Sequence, residues 1–277
     1  MSTEDPQYLD CALITGASSG LGWEFALQLA PLCKQLILVA RRLDRLDELQ
    51  AYLEEEFPHC SITTIKTDLA QKSERLQLFQ SLENAQLKPS LLINNAGLGD
   101  YGEFATSQWE KVESMIEVNM HALTHLTHHF LPHMKESGSG AILNVSSLAS
   151  TLPLPDFAVY AATKSYVTSL GEGLRAELAP YGIPVLSVCP GPIKTGFGEV
   201  AARSDEKPFK SSAYQHLYVP AEQVVSESLH SLFKNKPRCY PGWKVALAAF
   251  AITTAPIVAI RFFNSFRFRQ SKAIDNE

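Results

Sequence analysis

Cys11-Ala-Leu-Ile-Thr-Gly-Ala-Ser-Ser-Gly-Leu-Gly22 is an apolar run that ends in a glycine-studded turn, and the residues that follow, through Cys33, carry a helical pattern. A strand, a tight turn and a helix in that order open a parallel α/β unit. Gly16 permits the tight turn, Gly20 lets backbone approach a phosphate, and Gly22 allows the helix to pack closely on the strand. The spacing is G-x-x-x-G-x-G rather than the G-x-G-x-x-G fingerprint.

Outward from this junction the alternation continues. Gln35–Ala40, Ser61–Thr67, Leu91–Ile93, Ala141–Val145 and Pro184–Val188 are short apolar or alternating runs. Between them lie longer helical patterns at Leu43–Phe57, Gln71–Ala85, roughly Ser107–Lys135, and around Tyr160. Strands alternating with helices imply parallel pairing through right-handed crossovers, with helices on both sheet faces. Unbroken apolar strands fit burial on both sides. The expected fold is a doubly wound, Rossmann-like parallel α/β sheet in a single domain with a hydrophobic C-terminal helical tail. Residues 1–9 form a polar lead, 10–242 the catalytic domain with 192–220 as a lid, and 243–277 the tail.

Composition narrows the partners. The 277 residues are 45% hydrophobic with a net charge of −5, which gives no reason to expect nucleic acid. The five cysteines show no CxxC pair and an odd count, so core thiols in a reducing, cytoplasmic setting are expected rather than disulfides or a metal site. The acidic lead lacks the apolar stretch of a secretory signal.

The second strand ends Val39-Ala40-Arg41-Arg42. This end of a dinucleotide-binding strand faces the adenosine ribose, where Asp or Glu serves NAD and Arg accommodates a 2′-phosphate. Ala40 cannot bind the hydroxyls, whereas Arg41 and Arg42 offer planar forks, so NADP(H) is expected over NAD(H).

Tyr160-Ala-Ala-Thr-Lys164 places a phenol and an ammonium one helical turn apart. At roughly 4 Å and an effective dielectric near 20 the attraction would be about 4 kcal/mol, or about three pKa units, drawing the phenol toward neutrality. Ser147 stands thirteen residues upstream, with Ser146 as the adjacent alternative.

With these residues in view, the chain resembles the short-chain dehydrogenase/reductase family over nearly nine-tenths of its length. Thr15–Gly22, including Ser18, Ser19 and Leu21, matches that family's cofactor turn, and Asn94-Asn95-Ala96-Gly97 its signature after the fourth strand. Asp68 and Leu69 fall where the family meets adenine, and Pro190-Gly191, Ile193 and Thr195 where it embraces nicotinamide. Asn119, Ser147, Tyr160 and Lys164 match its catalytic tetrad. The resemblance implies that Tyr160 is the general acid, that Ser147 polarises the carbonyl, and that Lys164 holds the ribose and lowers the tyrosine pKa. Asn119 would position a relay water. It also implies a homo-oligomer, dimer or tetramer. A catalytically silent dinucleotide-binding scaffold is the alternative, and the intact tetrad argues against it.

Three features lie outside that match. His121, His125, His129 and His133 recur every four residues, with His128 beside them, and are expected at an interface or surface rather than on a metal. The segment 192–220 carries Phe197, Phe209, Tyr214 and Tyr218, and with Leu152, Leu154 and Phe157 would enclose a small hydrophobic carbonyl or alcohol. Val245–Ile260 is uncharged but short for a membrane span, and Arg261, Arg267, Arg269 and Lys272 follow it. Residues 243–272 therefore either contact a membrane surface peripherally or pack on protein.

Overall fold

A computed structural model describes residues 9–193, 196–201, 203, 217–256, 258, 260 and 261. Seven parallel strands form one sheet: β1 (Leu9–Thr15), β2 (Cys33–Ala40), β3 (Ser61–Lys66), β4 (Leu91–Asn94), β5 (Ala141–Val145), β6 (Val185–Val188) and β7 (Arg238–Cys239). Their spatial order is β3-β2-β1-β4-β5-β6-β7. The order reverses between β1 and β4, and the crevice beyond the carboxyl ends of those strands is where such sheets bind ligands.

The central strands are buried on both sides because successive side chains alternate between two cores. Ala12, Ile14, Leu36, Leu38 and Ala40 join one apolar cluster. Cys11, Leu13, Ile37 and Val39, the intervening residues, join the other. Helices α1 (Gly20–Leu29), α2 (Leu43–Glu56) and α3 (Lys72–Asn84) follow the first three strands. In α2 the spacing of Leu46, Leu49 and Leu53 presents one buried stripe to the sheet. The five cysteines are buried free thiols.

The long helical pattern after β4 is α4 (Trp109–Ile116), a widened π turn over Glu117–Ala122, and α5 (Leu123–Ser137), ended by Gly138 at φ 63°. Next come α6 (Ala158–Leu178), the short α7 (Phe197–Ala201), α8 (Ala221–Phe233) and α9 (Trp243–Thr254). The sequence pattern does not disclose β7. Two residues are too few for periodicity, and the strand exists because the Ser187 and Cys189 amides donate to the Pro237 and Cys239 carbonyls.

Beyond residue 242 the start of α9 packs on the sheet domain. Val245 and Ala249 on α9 are buried, and Val245 joins Val219 and Val224 in a third apolar cluster. The opposite face of α9 exposes Trp243, Leu247 and Phe250, each 60–73% accessible. Among the described residues no helix is long and apolar enough to cross a membrane.

Candidate active site

The turn after β1 is pinned from the neighbouring strand. Thr15 Oγ1 accepts from the Asn95 and Ala96 amides, both at 3.0 Å, and donates to the Ile93 carbonyl. Asn95 Nδ2 donates to the Thr15 carbonyl at 2.8 Å and to that of Gly16 at 3.4 Å. Asn95 thus shapes the turn. Gly16 has φ 68°, and a Cβ there would lie 2.9 Å from Ala96 Cα. A Cβ on Gly22 would lie 2.2 Å from the Gly16 carbonyl oxygen.

Ser19 precedes α1 without capping it by its side chain, and no acidic residue occupies the first helical turn. The first amides of α1, with Leu21 and Gly22 among them, therefore remain available to an anion. These features fit a dinucleotide pyrophosphate.

Beside the turn, the exposed Arg42 donates to the Ser18 hydroxyl and carbonyl at 3.1–3.4 Å. Arg41 is also exposed, and among the described residues neither arginine pairs with Asp44 or Asp47. Asp68 accepts from the Ala70 amide through Oδ1, and buried Leu69 gives its carbonyl to Arg75. On the other side of the crevice the Pro190 carbonyl accepts from the Leu148 amide. Gly191 approaches Val245 closely, and Ile193 packs on the Val219, Val224 and Val245 cluster. Thr195 lies outside the described residues.

The four tetrad positions come from three parts of the chain. Tyr160 and Lys164 are one turn apart on α6, Ser147 follows β5, and Asn119 sits in the π turn. Lys164 Nζ donates to the Val145 carbonyl at 2.8 Å and lies 5.8 Å from the Tyr160 ring centroid. Asn119 is buried. Its Nδ2 donates to the Leu98 carbonyl and Thr163 Oγ1, and its Oδ1 accepts from the Leu98 amide. Gly97 closes the group, since a Cβ there would sit 3.2 Å from Lys164 Nζ and 3.4 Å from Asn119 Oδ1. A π turn at such a position is common where a helix is distorted for function, and here it carries the amide that ties the β4 loop to α6.

Ser146 and Ser147 separate cleanly. The Ser146 hydroxyl donates to the Lys164 carbonyl at 2.9 Å and contacts Thr168 Oγ1. Ser147 accepts from the Ala149 amide, and its hydroxyl is close enough to Tyr160 to pull the phenol pKa down. Only the second hydroxyl meets the phenol.

The protonation balance differs from the Coulomb expectation. Burial pushes the Tyr160 phenol up to about 12, against the pull of the Ser147 hydroxyl, and pushes the Lys164 ammonium down to about 8. Desolvation opposes charge on both groups, and the ammonium is bonded to Val145 rather than to the phenol.

Around the phenol stands an aromatic wall. Phe157 and Phe197 lie 5.4 and 5.5 Å from the Tyr160 ring, and Tyr101 lies 5.0 Å from Phe157. Gly99 leaves room for Phe197, because a Cβ there would be 2.7 Å from its ring. Tyr101 escapes sequence reasoning, since nothing in a polar Gly-Asp-Tyr-Gly stretch signals a pocket wall. Leu152 and Leu154 are half-buried nearby in sequence, and Tyr218 is exposed. Phe209 and Tyr214 lie outside the described residues.

The histidine row turns inward in part. His129 stacks on Phe79 at 3.8 Å, His125 meets the same ring edge-on, and His121 contacts Glu117. Among the described residues no three His, Cys, Asp or Glu gather as metal ligands.

Comparison with known proteins agrees with this arrangement. Residues 10–206 match the family model for short chain dehydrogenases. A very-long-chain 3-oxoacyl-CoA reductase-like protein of Arabidopsis thaliana is 31% identical, over 90% of this chain and 78% of that one. A short-chain dehydrogenase from Sphingobium yanoikuyae, solved in complex with NADPH, superposes with a TM-score of 0.76 at 29% identity, covering 96% of each chain. A bulky-bulky ketone specific alcohol dehydrogenase from Comamonas testosteroni gives 0.73 at 28% identity, covering 96% of this chain and 94% of that one.

Proposed function

Because the chain belongs to the short chain dehydrogenase family, we propose that it is an NADPH-dependent reductase of bulky, apolar ketones or aldehydes, with Tyr160 as its general acid. Family membership makes it an oxidoreductase that uses a nicotinamide dinucleotide on C=O and CH–OH groups. The observation that carries the finer reading is the Tyr160 phenol beside Ser147, walled by Phe157 and Phe197.

A nicotinamide dinucleotide, held by the turn after β1, would supply the hydride when bound. Tyr160 gives its proton to the carbonyl oxygen, and Ser147 hydrogen-bonds that oxygen as charge develops. The phenol, pushed up by burial, is protonated at neutrality and so can act as the proton donor. Lys164, pushed down to about 8, can give up and regain a proton near working pH, so it can re-protonate the phenolate. Both Nδ2 hydrogens of Asn119 are committed, so a relay water would bind it only through oxygen. The apolar substrate follows from the aromatic wall, and the names of the Arabidopsis and Comamonas relatives point the same way.

The preference for NADPH rests on Ala40, Arg41 and Arg42 at the end of β2, and on the NADPH bound in the Sphingobium relative. A charged hydrogen bond is worth about 1.5–3 kcal/mol, so one Arg–phosphate contact should favour NADPH by roughly 10- to 100-fold. The test is a panel of ketones and aldehydes, including long-chain ones, followed by cofactor absorbance with NADPH and with NADH. Equal Michaelis constants for the two cofactors would remove the NADP assignment, and turnover restricted to small charged carbonyls would remove the apolar one.

The face of α9 turned away from the domain suits peripheral membrane contact. Trp243, Leu247 and Phe250 form an exposed apolar stripe, and from Lys244 to Ile274 the sequence holds five cations and no acid. Full-length protein should sediment with vesicles containing anionic lipid and release in high salt. A Trp243→Glu/Phe250→Glu variant that sediments equally well would end this idea.

A further inference from the structure

Arg203 and Asp100 stand 103 residues apart in sequence and form a nearly buried fork-to-fork ion pair. Arg203 Nε donates to Asp100 Oδ1 at 3.0 Å, and Nη2 donates to Oδ2 at 2.6 Å. The remaining donors reach the Glu103 carbonyl, Thr106 Oγ1 and Ser107 Oγ. The side chains retain only 12% and 3% of their exposure. Burial works against the Asp100 carboxylate, but the hydrogen bond and charge of Arg203 outweigh it and hold the acid below the usual carboxylate range. A bidentate pair of this kind is geometrically demanding, unlike exposed ion pairs.

Each end of the pair carries one wall of the pocket. Tyr101 follows Asp100 directly, and its amide donates to the Ala201 carbonyl at 2.9 Å. Arg203 follows α7, whose Phe197 packs on the Tyr160 ring and into the space left by Gly99. Joining these two segments therefore fixes Tyr101 and Phe197 relative to Tyr160. We propose that Asp100 and Arg203 latch α7 onto the loop after β4, making Arg203 a positioning residue that sets the shape of the substrate pocket. The proposal rests on the reductase reading, because it gives that pocket an apolar carbonyl substrate. With the latch closed, the two rings bound the apolar part of the substrate. With it open, a bulky substrate loses that contact, whereas a small one that touches only Ser147 and Tyr160 does not.

The test removes both charges together in Asp100→Asn/Arg203→Met, so that neither is left buried and unpaired. Arg203→Lys, which keeps the charge but not the fork, is the milder companion should the double variant not fold. NADPH-dependent reduction of a bulky aryl ketone and of a small aldehyde is measured beside amide exchange of the peptide containing Tyr101. We expect KM for the bulky ketone to rise tenfold or more with kcat within threefold, KM for the aldehyde to stay unchanged, and Tyr101 exchange to accelerate at least tenfold. Equal changes for the two substrates, or unaltered Tyr101 exchange, would overturn the latch. A wild-type chain that reduces neither compound overturns the reductase reading instead, and the exchange rate then judges the latch alone.

Discussion

Tyr160→Phe lowers kcat for carbonyl reduction by a factor of about 10² to 10⁴, the usual contribution of a positioned general acid, and leaves dinucleotide binding intact. The substitution removes one oxygen and keeps the ring. The contacts with Phe157 and Phe197 therefore survive, as does the α6 backbone that carries Lys164. What disappears is the proton and the polar contact with Ser147. Without them the developing alkoxide has Ser147 alone within the tetrad to stabilise it, and a hydroxyl is too weak an acid to finish the reaction at neutrality. Cofactor affinity is read by fluorescence titration and turnover by absorbance, on the same preparation. Activity within tenfold of wild type would take the acid role from Tyr160. Loss of both activity and binding would mean that the phenol serves the cofactor site instead.

The sheet was legible because its physics is local. Strands buried on both faces read as unbroken apolar runs, and the edge strand β3 instead alternates, so six of the seven stand out in the sequence. β7 was not legible, because its two residues are a strand only by virtue of the backbone groups on β6 that they satisfy. The same divide runs through the site. Tyr160 and Lys164 announce themselves by helical spacing, and the turn by its glycines. The thirteen-residue spacing of the family favoured Ser147 over Ser146, and the structure adds the reason Ser146 is occupied elsewhere, on Lys164 and Thr168. The π turn at Asn119 uses residues that an ordinary helix would accept. The Asp100–Arg203 pair joins residues 103 apart and has no signature at either end. Helical spacing reveals that an ammonium is near a phenol, but only the packed structure reveals the burial that works against charge on both.

Gly22→Ala should be the most damaging methyl that can be added to the cofactor turn. The new Cβ would lie 2.2 Å from the Gly16 oxygen, 2.7 Å from the Gly16 carbonyl carbon and 2.6 Å from Asn95 Nδ2. Two of those atoms are backbone, so no side-chain rotation relieves the contact. The Gly16 backbone cannot withdraw easily either, because Asn95 and the Val39 carbonyl hold it, the latter through the Gly16 amide at 2.8 Å. Overpacking a rigid site costs about 1–3 kcal/mol, which for a chain of this size corresponds to a Tm lower by roughly 2–12 °C. Binding should suffer more than folding. If relief of the clash misaligns two amides that face the pyrophosphate, each worth about 1.5–3 kcal/mol to a charged acceptor, NADPH affinity falls by roughly 10² to 10⁴. Gly173→Ala is the control, because a Cβ there meets nothing within 4 Å and the position is inside α6, where Ala is preferred to Gly. That variant should bind NADPH like the wild type and melt no lower. A Gly22→Ala protein that binds NADPH as tightly as the control would show that the turn yields without cost, and that the pyrophosphate is held elsewhere.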